Sequence, residues 1–404
     1  MSHDKKRVLV VGGGIGGLTV ACALAQRGHE VHVFEKASEI REVGAGVMIA
    51  PNAMGLLNRL GMAEALASTS VALDQGEIGS WRGPTLANAP LDTLAARYGA
   101  ACMVFYRPAL LDVLLARFRA LAKPDWVHLG AAYVSHREAD GVIVAQFEGL
   151  EPIEADVLIG ADGIHSSVRG QMVGDIALRY SGQTCFRGVT LGFSHPKMPV
   201  GLLRETQGPS ARFGACHVDP ERVYWWAAVD APAGGPTGPC SEEWRARLRD
   251  EIYGDWAAPV KDLIEATPAQ QIMRNDLYDL PALPTWHQGR AVLLGDAAHA
   301  MTPNLGQGAC SAIEDAWVLA SHLDKAADLK RAFTAYEAER YQRTRFLQVQ
   351  SWRFGIIGQV SSPILCRLRE WLIRLTPETV LTASYDRIYG WRPSDLGQLG
   401  APSA

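Results

Sequence analysis

Residues Gly12-Gly13-Gly14-Ile15-Gly16-Gly17 have the types and spacing to cradle the phosphates of a dinucleotide. Gly12 permits a tight turn, Gly14 lets the backbone approach a pyrophosphate, and Gly17 lets a helix pack closely on a strand, with Gly16 completing the loop. The phosphates would meet free N–H groups at the positive end of that helix. Glu35, followed by Lys36, stands about twenty residues on, where a carboxylate accepts hydrogen bonds from both ribose hydroxyls. Its charge repels a ribose phosphate, which disfavours an NADP-type nucleotide here. The competing reading is an ordinary glycine-rich turn. The loop by itself does not separate FAD from NAD.

Two later stretches bear on that choice. Gly160-Ala161-Asp162-Gly163 is a small-residue turn with an acid, and Asp162 is placed either to cap the next helix or to face a ligand. In Gly295-Asp296 a strand ends at a glycine, so a ligand meets backbone, and Asp296 can bond a polyol hydroxyl. After Pro303, Gly306-Gln307-Gly308 opens a helix over 309–322. An N-terminus aimed at a flavin pyrimidine edge would stabilise the negative charge that accumulates on reduction.

The elements that must position these residues are legible as runs and periods. Arg7 to Val11 is a buried parallel-type strand, Leu18 to Arg27 a helix closed by Gly28, and His29 to Phe34 a second strand: a βαβ unit. Val47 to Gly61 reads as strand, turn and helix, and Pro108 to Leu121 as an amphipathic helix after Arg107. Thr184 to Thr190, Ala211 to Val218 and Arg222 to Val229 read as strands of an antiparallel sheet, and Ala231 to Gly238 as a loop. After Pro281 the α/β texture returns, with a strand from Ala291 to Leu294. The expected fold is α/β: a Rossmann-like cofactor domain (1–178 and 281–350), an inserted antiparallel β-sheet substrate domain (179–280), and a C-terminal helical segment (351–404). Pro402-Ser403-Ala404 reads as a frayed end.

Composition narrows the class. The 404 residues are 48% hydrophobic and 20% charged, with a net charge of −4, so no basic excess argues for nucleic acid. Cys22, Cys102, Cys185, Cys216, Cys240, Cys310 and Cys366 are scattered without C-x-x-C spacing, which fits reduced thiols in a cytoplasm and no metal site. Lys5, Lys6 and Arg7 before an apolar run imitate a signal peptide, but glycines break the run at once. No apolar stretch is long enough to span a bilayer.

The three stretches, in this order, resemble the single-component FAD-dependent aromatic hydroxylases of the para-hydroxybenzoate hydroxylase type (group A), over nearly the whole chain. Tyr180-Ser181-Gly182-Gln183-Thr184-Cys185-Phe186-Arg187, the run Gly295 to Asp315, and Gln350-Ser351-Trp352-Arg353 look closest to alkylquinolone 3-monooxygenases. The resemblance implies that the first loop binds the AMP half of FAD, that Asp162 lies near the pyrophosphate and that Asp296 holds the ribityl chain. It also implies cofactor contacts from Gly46, Val47 and Arg107. The Pro303 carbonyl would lie beside a flavin C4a-hydroperoxide, and Gly308 and Ala309 would offer N–H groups to the isoalloxazine. The implied reaction uses NAD(P)H and O2 to hydroxylate an aromatic or heteroaromatic ring, quinolone-like and lipophilic. A second nucleotide loop is absent, which agrees with transient NAD(P)H binding.

Substrate-side candidates come from the inserted sheet. Arg212 is placed to hold an anionic or carbonyl oxygen, and Tyr224 or His217 to act as a base; the alternative is sheet core and a solvated face. Related 6-hydroxynicotinate hydroxylases carry a histidine base in their G-A-G-x-H stretch. Here Gly44-Ala45-Gly46-Val47-Met48 has Met48, an apolar lining that suits a lipophilic ring. His299 reads as a packed or hydrogen-bonded residue behind the flavin rather than as a catalytic acid. Residues 363–377 form an amphipathic helix, expected to dock on the body of the enzyme, with weak membrane-surface contact as the sharper reading. Rival functions are a flavin epoxidase of a lipophilic alkene and a non-catalytic flavin-binding sensor or sequestering protein. The W-x-W-x-I-P stretch of flavin halogenases is absent. An NAD dehydrogenase leaves the two later stretches unexplained.

Overall fold

A computed structural model of the chain describes residues 5–40, 45–326 and 328–396. Gly44 and the terminal Pro402-Ser403-Ala404 lie outside them. The expected βαβ unit is present as strand Arg7–Val11, helix Ile15–Gln26 and strand Glu30–Glu35, with Gly28 at φ +88° just past the helix. Val8, Leu9 and Val10 have no exposed surface, as an apolar strand covered on both faces requires. In the six-stranded sheet, Ala291–Leu293, Val157–Gly160, Arg7–Val11, Glu30–Glu35 and Val127–Leu129 lie side by side and parallel. The short edge strand His287–Gln288 runs antiparallel.

That strand order places the chemistry. Gly12, Ala161-Asp162 and Gly295-Asp296 follow the ends of three adjacent parallel strands, and Glu35 ends the fourth. Ligands of open α/β sheets bind outside the carboxyl ends of the strands. Stretches far apart in sequence therefore share one rim.

A second sheet has eight strands, built on the antiparallel run Met273–Asp279, Arg179–Leu191, Arg222–Asp230, Ala211–His217 and Leu202–Gly208. It also recruits Gln75–Ser80, parallel to Leu202–Gly208, and beyond it Thr85–Pro90. This second sheet thus reaches outside 179–280, into residues of the first segment. QGEIGS and TLANAP carry few β-branched or aromatic residues, so sequence alone did not expose them as strands. One face of the sheet closes a separate core of Phe213, Trp225, Tyr253 and Leu263. Cys216, Tyr224 and Trp226, on the other face, pack toward the cofactor domain.

Helix Leu329–Gly358 is continuous across residue 350, where a boundary was expected. It starts at Asp328, whose carboxylate caps the Arg331 N–H at 2.8 Å, and neither glycine nor proline interrupts it near 350. The amphipathic helix is observed as Pro363–Arg374, but its expected docking is reversed. Cys366 and Arg369 face inward, whereas Ile364, Leu365, Leu368, Trp371 and Leu372 are exposed. The cause is Arg369, which donates to the carbonyls of Gly358 at 2.6 Å and Ile357 at 3.2 Å and so satisfies the end of the preceding helix. Among the described residues no helix is long and apolar enough to cross a membrane.

Candidate active site

The first loop is held against the other two. Gly12 lies at φ +106°, and a Cβ there would sit 2.4 Å from the Ala161 carbonyl oxygen. A Cβ on Gly17 would stand 1.9 Å from the Gly12 carbonyl oxygen, and one on Gly16 would stand 2.8 Å from Leu294 Cδ2. These glycines are closed against protein. Gly14 differs: no atom lies within 4 Å of its Cβ position, so backbone there faces open space at the start of the Ile15–Gln26 helix. Such a cradle fits a pyrophosphate. Glu35 accepts from the Gly13 N–H at 2.8 Å and the Ala37 N–H at 3.0 Å, which sets its carboxylate beside the loop; Lys36 is exposed.

Asp162 accepts from Ser166 Oγ at 2.5 Å and from the N–H groups of Ser167 and Val168 at 2.8 and 3.1 Å. The capping role is the one its side chain plays. The turn nonetheless reaches the rim, because Ala161 touches Gly12.

Asp296 carries the opposite character. Its side chain is exposed to water, yet burial is the leading effect on its acidity and pushes its pKa up. His299 and Arg107 pull it down, and Asp315 raises it further. A group both accessible and enclosed lies on the floor of a cleft; accessibility is the better guide to whether a hydroxyl can reach it. The Cβ position of Gly308 is 4.0 Å from Asp296 Oδ1, so the carboxylate neighbours the N-terminus of helix Gly308–Lys325. The first back-bond from that end runs from the Ser311 N–H to the Gln307 carbonyl at 2.8 Å, ahead of which lie the Gly308 and Ala309 N–H groups. Gly306 turns the chain at φ +63°, with Met48 Cε 2.8 Å from its Cβ position. Pro303 is exposed, and its carbonyl accepts from the Gly306 N–H at 2.9 Å.

Strand Gly46–Ile49 brings Gly46, Val47 and Met48 to the same place, and the Arg107 N–H bonds the Ala45 carbonyl at 2.9 Å. Tyr224 leans on Gly46, whose Cβ position is 2.5 Å from the ring. Cross-strand register decides which substrate-side candidates join them. Cys216 pairs with Tyr224, Gly214 with Trp226 and Arg212 with Ala228. Side chains alternate across a strand, so Arg212, Tyr224 and Trp226 share the face toward the cofactor domain. His217 does not. It lies on the other face, with Nε2 3.0 Å from the Met198 carbonyl and Nδ1 3.3 Å from that of Asp219.

Arg212 is 2% exposed. Its guanidinium donates to Asn304 Oδ1 and lies 3.7 Å from Glu205, and Asn304 in turn donates to Thr302 Oγ1 and the Ser351 carbonyl, each at 3.0 Å. Arg212 therefore braces the turn that carries Pro303. Tyr224 is held protonated by burial, against the pull of Arg187 and Arg107.

Sequence reasoning missed the network behind the rim. Asp315, Glu314 and Arg340 have no exposed surface. Asp315 accepts from the Gly295 N–H at 3.0 Å and from Arg340 Nε at 2.6 Å, and stands 2.5 Å from His299 Nε2. Burial would raise its pKa, but His299 and Arg340 bring it down to about 2. Arg340 also meets Glu314 at 2.7 Å, and Asn52 donates to Glu314 at 2.6 Å. Adjacent acids inside the apolar run SAIEDAWVL were the available signal.

These features fit a dinucleotide with a polyol arm, and comparison with known proteins identifies it. Residues 5–349 match the family described as FAD binding domain. The chain is 39% identical over 373 residues to aurachin C monooxygenase/isomerase of Stigmatella aurantiaca, covering 91% of this chain and 94% of that protein. It is 35% identical over 416 residues to 3-amino-4-hydroxybenzoate 2-monooxygenase PtmB3 of Streptomyces platensis, covering 98% and 99%. Klebsiella pneumoniae HpxO, crystallised with FAD and uric acid, superimposes with a TM-score of 0.86 at 28% identity, covering 95% of this chain and 96% of HpxO. The chain belongs to the FAD-binding-domain family and is an FAD-dependent monooxygenase of the aromatic-hydroxylase type.

Proposed function

We propose that this monooxygenase uses NAD(P)H and O2 to hydroxylate a lipophilic, quinolone-like aromatic or heteroaromatic ring. One observation carries the proposal: loops from both ends of the chain meet on one rim, beneath a sheet face that presents Tyr224 and Trp226 with ring centroids 5.7 Å apart. Likeness to enzymes named aurachin C monooxygenase/isomerase and 3-amino-4-hydroxybenzoate 2-monooxygenase supports monooxygenation of a ring, and the quinolone class rests on the stretches 180–187, 295–315 and 350–353.

Gly12, Gly14, Gly16 and Gly17 would hold the pyrophosphate, Glu35 the ribose and Asp296 the ribityl chain, with Gly46, Val47, Arg107 and Asp162 around them. Gly308 and Ala309 would offer N–H groups to the ring system. When bound, FAD supplies hydride acceptance and oxygen activation. The protein's part is to orient the substrate and exclude water. Tyr224 and Trp226, with Met48 on the neighbouring strand, would form an apolar wall that does both. Tyr224, kept protonated, donates a hydrogen bond to a ring oxygen rather than taking its proton. Arg212 acts through Asn304, fixing the Pro303 turn.

The test is one assay of the purified flavoprotein with phenols, quinolones and alkenes, following NAD(P)H consumption and labelled oxygen from O2 in the product. The proposal expects quinolone-triggered consumption and label in a ring hydroxyl. Label in an epoxide would make it an epoxidase. A spectral change without consumption would make it a sensor.

A further inference from the structure

The Pro363–Arg374 helix carries its apolar stripe outward. Ile364, Leu365, Leu368, Trp371, Leu372 and Leu375 recur at the spacing of one helical face and are 48–78% exposed. Ile356 and Ile357, in the last turn of helix Leu329–Gly358, are 57% and 59% exposed. Water-exposed apolar surface on this scale marks an interaction site. The orientation is built in. Arg369 reaches the Gly208 carbonyl at 3.3 Å as well as those of Ile357 and Gly358, Cys366 Sγ contacts the Val360 carbonyl at 3.2 Å, and Ser80 Oγ donates to Glu370 at 2.7 Å. Rotating the stripe inward would break all of these.

We propose that this helix and the last turn before it form a docking platform for an anionic phospholipid bilayer. Charge selects that occupant. The exposed charged residues of the helix are Arg367 and Arg374, and Arg353 lies one turn before Ile356 and Ile357. Glu370, the helix's acid, is engaged by Ser80. Arginines beside an aliphatic and tryptophan face suit a headgroup layer, where Trp371 sits at the boundary and the arginines meet lipid phosphates. A second copy placed on the same face would bring like charges together. Position also fits. Phe354 lies 5.8 Å from the Arg212 guanidinium, and Gly355 and Gly358 lie against Asn304 and Arg212, on the same turn that turns Ile356 and Ile357 outward. The platform thus adjoins the braced turn of the active site, where a lipophilic ring would leave the membrane. The docking itself does not depend on the identity of the substrate.

The test uses full-length flavoprotein and vesicles of equal parts phosphatidylcholine and phosphatidylglycerol, read by co-sedimentation. Wild-type protein is expected to pellet, less so at high salt. Leu368→Glu with Leu372→Glu should weaken binding at least tenfold while leaving flavin absorbance and circular dichroism unchanged. Arg367→Glu with Arg374→Glu should abolish the preference over pure phosphatidylcholine. Wild-type protein that stays in solution overturns the proposal, as does equal binding by the leucine variant. So does a wild-type dimer that ignores vesicles and that the leucine variant converts to monomer.

Discussion

Tyr224 rests on Gly46 with no room between them: a Cβ on the glycine would stand 2.5 Å from the tyrosine ring. The contact joins the eight-stranded sheet to strand Gly46–Ile49, which we propose lines the cofactor cleft. Gly46→Ala should therefore overpack it, at a cost of about 1–3 kcal/mol. Thermal unfolding and flavin affinity should both decline. Tyr224→Ala in the same chain should recover part of the stability loss, because the two residues share one contact. Additive losses would show that the pair does not set the interface.

Arg212 and Asn304 yield a kinetic prediction. Removing the guanidinium takes from Asn304 Oδ1 its donor and from the Glu205 carboxylate its cation, while Gln207 still donates to Glu205 at 3.1 Å; both groups are half-buried, so water offsets part of the loss. Because the braced turn carries Pro303, Arg212→Ala should raise the substrate KM with flavin still bound. Arg212→Lys should recover part of it. Unchanged kinetics in Arg212→Ala would remove this residue from the site.

The buried charges behind the rim predict acid sensitivity. Asp315 is held at about 2 in the folded chain, below the roughly 3.9 of an unfolded aspartate. A depressed folded pKa stabilises the protein above the unfolded value, and that contribution is lost as pH falls through the folded one. Glu339, bonded by His322 and Ser394 and also brought down to about 2, adds to the same window. Stability should thus fall between about pH 4 and about pH 2. Asp315→Asn should destabilise the protein at neutral pH, by less than the about 3–5 kcal/mol of a fully unpaired buried charge because Glu314 still meets Arg340 at 2.7 Å, and should flatten that fall. Denaturant titrations at stepped pH check both.

The closure of the first loop was legible in the chain because glycines report backbone geometry directly. Gly12 and Gly17 are needed wherever a loop closes this tightly, whatever surrounds it. The two acids were less transparent: Asp162 and Asp296 follow similar strand ends, yet one caps a helix and the other faces the cleft. His217 was misplaced for want of register, since a strand shows alternation but not which face meets which domain. The 363–374 helix announced an apolar stripe, but its orientation depended on Arg369 finding carbonyls eleven and twelve residues earlier. Gln75–Ser80 and Thr85–Pro90 became strands through an edge offered from residues 202–208, which local propensity does not register.

The most direct measurement is the flavin-to-protein ratio of purified wild-type chain and of Asp296→Ala. The rim described here predicts a yellow wild type near one FAD per chain, and a folded variant that has lost most of it. A colourless wild type that takes up no added flavin, or a variant that keeps full occupancy, would contradict it.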